Sequence, residues 1–296
     1  MHVAQINIGT MVAPTDDPAV AEFMDNLDRI NAIADEAPGF VWRLQTDSGN
    51  ATEIQIFPDP LALVNMSVWE SVDDLKSYVY RSEHVDFFRR RADWFVADAK
   101  RVALWHVEPG SIPELEDAVR RVEFQERHGA TPYSFGFGRV PAPLTFETTD
   151  LDDPDTIDLV ERLNHELAAV ATEPNENHFS LATDEVTGDR GVMLRARLDG
   201  RLVGCGAVRT IEPGVGEIKR MFVDPTVRGG RLGAALLDQL ELGAQRLGLD
   251  TLKLETGPRQ VEANRLYQRA GYERCPAWGE YLLSPATSMC YAKSLR

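Results

Sequence analysis

The chain has 296 residues, long for a single hydrophobic core and comfortable for two domains. With 43% hydrophobic and 26% charged residues it has a globular composition, and it lacks an apolar run long enough to cross a bilayer, so no membrane partner is expected. A formal charge of −16 argues against sequence-independent nucleic-acid binding, which needs a basic face, although it would attract cationic amines.

The opening Met1-His2-Val3-Ala4-Gln5-Ile6-Asn7-Ile8 has neither a basic leader nor a signal-type apolar block. It alternates as a strand does, which favours mature structure over an export signal. Cys205, Cys275 and Cys290 are odd in number and lack metal-ligand spacing; free thiols in a cytoplasmic protein, with no metal site, are the expectation.

Strand-like alternation over residues 3–8 is followed by a helical pattern over 17–34, with Phe23, Leu27 and Ile30 about one turn apart, and by strands over 39–45 and 61–69. Ser71 reads as an N-cap, with Asp73 and Asp74 in the first turn of a helix through Leu75, Tyr78 and Val79. A further helix over 84–94 and a strand over 101–107 complete the first half.

That order, with Pro38-Gly39-Phe40-Val41-Trp42 leading into the second strand and Val68-Trp69-Glu70-Ser71 closing the third, resembles the dimeric α/β-barrel superfamily. Within it the match is to an uncharacterised bacterial family related to the antibiotic-biosynthesis-type monooxygenases, over about residues 1–130. The resemblance implies a ferredoxin-like domain, a homodimer paired sheet to sheet through it, and a pocket between sheet and helices. Asn65, Trp69, His84 and Trp94 are candidates for an oxygenase-type pocket, but tryptophans at strand ends and a lone histidine are more simply packing residues. Arg89-Arg90-Arg91 reads as a solvated helix face.

Residues 130–143, Ala-Thr-Pro-Tyr-Ser-Phe-Gly-Phe-Gly-Arg-Val-Pro-Ala-Pro, are dense in structure breakers. They place a linker over 131–143 between a first domain, 1–130, and a second, 144–296.

In the second half, strands over 192–198 and 201–210 flank the tight-turn dipeptide Asp199-Gly200, and a third strand covers 217–223. Asp224-Pro225-Thr226 then breaks the pattern, and Arg228-Gly229-Gly230-Arg231-Leu232-Gly233-Ala234 opens a helix with Leu232, Leu236 and Leu240 on one stripe. A glycine-rich turn at a helix N-terminus suits a pyrophosphate, because the first amides have no internal partner and the backbone approaches the anion closely.

Three separated segments carry a second resemblance. They are Glu217-Ile218-Lys219-Arg220-Met221-Phe222-Val223-Asp224-Pro225, the 227–233 turn and Leu266-Tyr267-Gln268-Arg269-Ala270-Gly271-Tyr272, with a strand at about 251–255 before the last. In order and spacing they resemble the GCN5-related N-acetyltransferase (GNAT) superfamily over residues 144–296. The family's cofactor loop reads Arg or Gln, two residues, Gly, one residue, then Gly or Ala. Arg228 and Gly233 match that pattern, whereas Arg231 stands at the first glycine position.

The resemblance implies an overall α+β chain, a ferredoxin-like dimeric α/β-barrel domain followed by a GNAT-fold mixed-sheet α/β domain. It implies acetyl-CoA as acyl donor, without a metal, and direct transfer to a small-molecule amine. The backbone of Met221 and Val223, with Phe222 between them, would bond the acetyl and pantetheine groups. Arg228, Gly229, Gly230, Arg231, Leu232, Gly233 and Ala234 would hold the pyrophosphate, and Asn264 would reach pantetheine or phosphate. Tyr267 matches the family's general acid and Glu217 a position used as general base. Acceptor specificity would come from about residues 155–171, from a loop with Glu173, Glu176 and His178, and from tail strands near Tyr281. The competing reading is an oxygenase or metabolite-binding protein whose second half senses acyl-CoA without turnover.

Overall fold

Four successive residues of β1 (His2–Thr10), Val3 to Ile6, are buried, so the strand is covered on both faces, and it pairs on both edges. With β2 (Phe40–Arg43), β3 (Ala62–Trp69) and β4 (Arg101–Val107) it forms an antiparallel sheet ordered β2-β3-β1-β4. The computed structural model describes residues 1–97, 101–170, 180–284 and 286–296, and the chain divides into two compact units, Met1–Pro143 and Leu144–Arg296.

The helix expected over 17–34 is broken. Asp17 accepts the Ala19 amide at 2.8 Å and caps a 3-10 turn, Pro18–Val20, before α1 (Ala21–Asp25) and α2 (Leu27–Asp35). The break falls at Asn26, whose side chain bonds back to the Glu22 carbonyl at 2.8 Å, a competition that disfavours asparagine inside helices. Ser71 caps α3 (Val72–Arg81) as expected, taking the Asp74 amide at 3.1 Å. The helix expected over 84–94 is α4 (His84–Arg90), followed by a 3-10 turn, Arg91–Asp93.

One helix was not anticipated, α5 (Leu115–His128). Ala118 and Val122 on it pack with Ala4, Ile6, Ile8, Val64, Met66, Val68, Ala103 and Trp105, covering one sheet face. The other face, with Val3, Trp69 and Leu104, packs on α3, and the Tyr78 hydroxyl ties α3 to the Ile30 carbonyl of α2. The face through which the first resemblance would pair two subunits is the one that α5 covers.

The expected linker also differs. Tyr133 and Phe135 are fully buried, and Phe135 exchanges two backbone hydrogen bonds with Leu104, at 2.8 and 2.9 Å, along the outer edge of β4. Apolar rings among the glycines and prolines make residues 131–135 part of the first unit's core.

The second unit is built on a seven-stranded sheet ordered β10-β11-β9-β8-β7-β6-β5. Its strands are β5 (Leu144–Thr149), which was not anticipated, β6 (Gly191–Leu198), β7 (Arg201–Glu212), β8 (Val215–Val223), β9 (Thr251–Thr256), β10 (Glu273–Arg274) and β11 (Met289–Ser294). Asp199 and Gly200, at φ 50° and 76°, make the tight β6–β7 turn their residue types favour. Core residues Ile218, Leu236, Leu240, Leu254 and Tyr267 pack α7 (Leu232–Arg246) and α8 (Val261–Arg269) on one face. Leu159 and Leu163 of α6 (Pro154–Val170) pack with Cys205 and Phe222 on the other. Among the described residues no helix is long and apolar enough to cross a membrane.

Candidate active site

The sheet opens in its middle. β8 and β9 run parallel and pair only from Val215↔Thr251 to Ile218↔Leu254, yet β8 continues to Val223 and β9 to Thr256. On its other edge β8 carries a bulge: the register passes from Ala207↔Lys219 to Cys205↔Phe222, so Arg220 and Met221 both oppose Gly206. Arg220 takes φ 57° to make the bulge. Beyond it Met221 and Val223 face the α7–α8 core, while Phe222 turns to α6. The backbone amides and carbonyls of β8 past Ile218 therefore border a slot rather than a neighbouring strand.

At the end of that slot lies the glycine-rich turn. Gly229 has φ 89°, with open space where a Cβ would stand, and α7 begins immediately after Arg231. Leu232, Gly233 and Ala234 supply amides of the first helical turn, which lack intrahelical acceptors. Arg231 is the helix N-cap, with φ 64°. That left-handed conformation is the one a glycine adopts freely, so the arginine holds a glycine-type backbone at a cost of about 1 kcal/mol.

Two expected contacts differ from expectation. Arg228 donates through Nε to the Val223 carbonyl at 2.9 Å and through Nη2 to Glu166 at 2.6 Å, so its guanidinium staples the end of β8 to α6. Asn264 is buried; its amide donates to the carbonyls of Gly257 and Gln260, both at 2.9 Å, and its oxygen accepts the Tyr291 hydroxyl at 2.8 Å. These bonds secure the start of α8, a use that the helix position alone did not reveal.

Tyr267 is 7% exposed and its hydroxyl lies 3.6 Å from Met221 Sδ, which places the phenol at the slot. Burial, and then the charge of Glu255, push its pKa up and keep the proton on it. Glu217 has a different setting from a water-linked base. It is fully buried; Arg209 holds Oε2 at 2.6 Å and the Tyr281 hydroxyl donates to Oε1 at 2.6 Å. The tail near Tyr281 is a 3-10 segment, Gly279–Leu283, rather than strand.

Several residues gather here that sequence reasoning did not place in the site. Lys219, buried, donates to Glu280 at 2.7 Å and to the Tyr281 hydroxyl at 3.2 Å, and Arg209 reaches Glu185 at 2.8 Å. Glu255, one residue past the last β8–β9 pair, takes a hydrogen bond from Ser288 and lies opposite Cys290. Burial pushes its carboxyl pKa up to about 7, against the opposing pull of Ser288 and Lys219. The available signal was a charged residue inside an apolar strand, Lys253-Leu254-Glu255-Thr256, next to a second such strand, Glu217-Ile218-Lys219.

Glu173, Glu176 and His178 lie outside the described residues. In the first unit Trp69 donates to Ser67 at 2.9 Å, Asn65 accepts from Gln5 at 2.9 Å, and His84 packs against Tyr78 at 4.7 Å, so these side chains serve the fold. Trp94 is likewise buried, against Phe23 and Phe87.

Comparison with known proteins bears on both units. Residues 157–272 match the model of the Acetyltransferase (GNAT) family. An IAA acetyltransferase of Azospirillum brasilense is 38% identical over 126 residues, 42% of this chain and 81% of the relative. The chain is an N-acetyltransferase of the GNAT family. Its residues 2–151 match a domain of unknown function, DUF3291, and belong to that family. An uncharacterized N-acetyltransferase of Bacillus subtilis, YsnE, is 25% identical to the acetyltransferase over 134 residues, 45% of this chain and 87% of the relative. A solved structure, a GNAT family acetyltransferase from Elizabethkingia anophelis with acetyl-CoA bound, is 16% identical with a TM-score of 0.37, covering 51% of this chain and 97% of that one.

Proposed function

We propose that the second unit transfers acetyl from acetyl-CoA directly to a small-molecule amine. The observation that carries this reading is the parting of β8 from β9, followed by the open amides of α7, with the Tyr267 phenol against Met221 of the unpaired part of β8. The slot and turn fit the donor: Gly229 leaves room for an anion, and the first amides and dipole of α7 favour one. Acetyl-CoA supplies the activated acetyl thioester.

The chain's own groups supply the rest. The exposed β8 backbone at Met221 and Val223 orients the acetyl and pantetheine portions, and an amide aimed at the acetyl oxygen stabilises the charge that develops there, an effect worth about 3–4 kcal/mol where measured. Tyr267 holds a proton at its hydroxyl and gives it to the departing sulfur. Glu255, whose carboxyl ionises near neutrality, accepts the proton from the amine; a base is most effective when its pKa is near the working pH. In this reading Glu217 holds Arg209 and Tyr281 in place rather than acting as base. The Arg228–Glu166 pair keeps α6 against the donor turn, and the Asn264 bonds keep α8 and its tyrosine in register.

Support for a small acceptor comes from relatives that include an aminoalkylphosphonate N-acetyltransferase of Salmonella typhimurium, 35% identical over 60 residues. The test is CoA release with a panel of primary amines, amino acids and aminoalkylphosphonates. Turnover that falls about 100-fold in Tyr267→Phe, with acetyl-CoA affinity unchanged, is the expected outcome. Acetyl-CoA binding without turnover across the panel, in wild type and variant alike, overturns the reading.

For the first unit, the strand order β2-β3-β1-β4 with α2 and α3 on one face supports a ferredoxin-like fold. Because α5 covers the opposite face, we read it as a unit closed within one chain rather than half of a sheet-paired barrel. Light scattering of the full chain is expected to give a single-chain mass; a dimer abolished by a charge placed at Ala118 under the sheet, with folding retained, would overturn this.

A further inference from the structure

Tyr281 sits at the buried centre of a polar row that spans four elements, β7, β8 and the 3-10 segments Thr183–Glu185 and Gly279–Leu283. Its hydroxyl donates to Glu217 Oε1 at 2.6 Å and accepts from Lys219 Nζ at 3.2 Å. The same ammonium donates to Glu280 Oε1 at 2.7 Å, and the second oxygen of Glu280 takes the Ser180 hydroxyl at 2.9 Å. At the far end of the row Arg209 joins Glu217 to Glu185. Tyr281 and Lys219 are 3% and 7% exposed, so water cannot readily replace what they give each other.

We infer that Tyr281 is a positioning residue for acetyl transfer, whose hydroxyl fixes the Lys219 ammonium where it faces the Glu255 carboxyl. The inference rests on the proposed role of Glu255 for its functional meaning, though not for its geometry.

A lysine side chain is long and rotatable, and its ammonium is a point charge that goes where acceptors hold it. Here Tyr281 and Glu280 hold it, while the Tyr281 hydroxyl also donates to Glu217 Oε1. Removing the hydroxyl leaves Glu217 Oε1 without its donor in a buried site, a costly state that Lys219 can relieve by moving to that oxygen. The movement takes positive charge from Glu255.

Lys219 and Glu255 each stand two residues past the Glu217↔Lys253 pair of the parallel strands β8 and β9, so both side chains rise from the same sheet face where the ladder stops. From β8, Lys219 and Glu217 face Glu255; from the 3-10 segment, Glu280 and Tyr281; from α8, Tyr267; from β11 and the residue before it, Cys290 and Ser288. Lys219 is the cation among these residues, and the carboxylates favour the protonated acid. Loss of its charge therefore makes Glu255 hold its proton to higher pH.

The experiment is a 13C titration of the Glu255 carboxyl in the full chain labelled at glutamate, with the resonance assigned by its loss in Glu255→Gln. The wild-type midpoint is expected near 7. In Tyr281→Phe, which keeps the ring edge against Trp278 at 5.1 Å, the midpoint is expected to rise by about one pH unit, a tenfold change in ionisation. Tyr281→Met, which fills the volume without a hydroxyl, should give the same shift if the Phe variant does not fold. An unmoved midpoint in a folded variant overturns the inference. Turnover by Glu255→Gln separates the two readings: wild-type turnover removes Glu255 as base while a shifted midpoint still leaves Tyr281 as the holder of Lys219.

Discussion

The two sheets of this chain treat their hydrogen-bonding edges in opposite ways. In the first unit β1 meets β3 through eight residue pairs, from Val3↔Trp69 to Thr10↔Ala62, and even the outer edge of β4 is taken by Phe135. In the second, β8 meets β9 through four pairs and then leaves it. A fully paired sheet with both faces covered offers side chains for packing. A sheet that opens offers backbone groups to a ligand and lets buried charge gather at the opening. The cluster of Glu217, Lys219, Glu255, Glu280 and Tyr281 stands where the ladder stops. In the first unit the polar side chains between strands, such as Gln5, Asn65 and Ser67, bond mainly one another.

The sharpest challenge to that contrast is Glu255→Gln, which removes the proposed base without changing the shape. We expect turnover to fall by about 10²–10⁴ at neutral pH, with the rise of rate through about pH 7 lost. The same variant has a stability signature. The folded state holds the Glu255 proton more tightly than the unfolded chain, so unfolding free energy should decline as pH rises from the ordinary carboxylate range to about 7 and level off above it. That decline should be absent in the glutamine variant, as followed by urea titration at several pH values.

Phe135→Ala probes the closed sheet instead. Removing a fully buried ring costs about 3–5 kcal/mol, and calorimetry should show the first unit melting earlier while acetyl-CoA affinity is unchanged. Lost affinity there would mean that the open and closed sheets are not independent.

A smaller effect is expected from Gly233→Asp, where a carboxylate enters the first turn of α7, beside the proposed phosphate site. Like-charge repulsion at this site should weaken acetyl-CoA binding about tenfold by titration calorimetry. The added Cβ would also approach Leu266 to 3.3 Å, so the melting temperature of the variant must be read alongside. The smallest effect belongs to Arg231→Gly, which relieves the left-handed N-cap. A gain in stability of about 1 kcal/mol is expected, and donor affinity that falls sharply would show that the arginine side chain itself holds the cofactor.

Local signals made much of both units legible. The Ser71 cap, the Asp199-Gly200 turn and the glycine-rich entry to α7 act through residues a few positions apart, so their geometry is written in short stretches of sequence. Two elements were illegible for related reasons. α5 carries nine polar residues among its fourteen and buries a narrow stripe, and β5 is an edge strand whose Thr145, Glu147 and Thr149 look like loop. The break at Asn26 was lost because apolar spacing ran across it.

In the candidate site the limit was distance along the chain. Sequence alone determined that Tyr267 belongs to a helix after the glycine-rich turn and that Glu217 and Lys219 lie on the strand before it, since period and motif spacing are local properties. Only the tertiary structure decided what those charges meet. Glu217 finds Tyr281 sixty-four residues away, Lys219 finds Glu280 sixty-one away, and Asn264 spends its oxygen on Tyr291. The pKa of a carboxyl depends on burial and on such neighbours, which is why Glu255 looked like any strand glutamate until β8 and β9 were seen to part beside it.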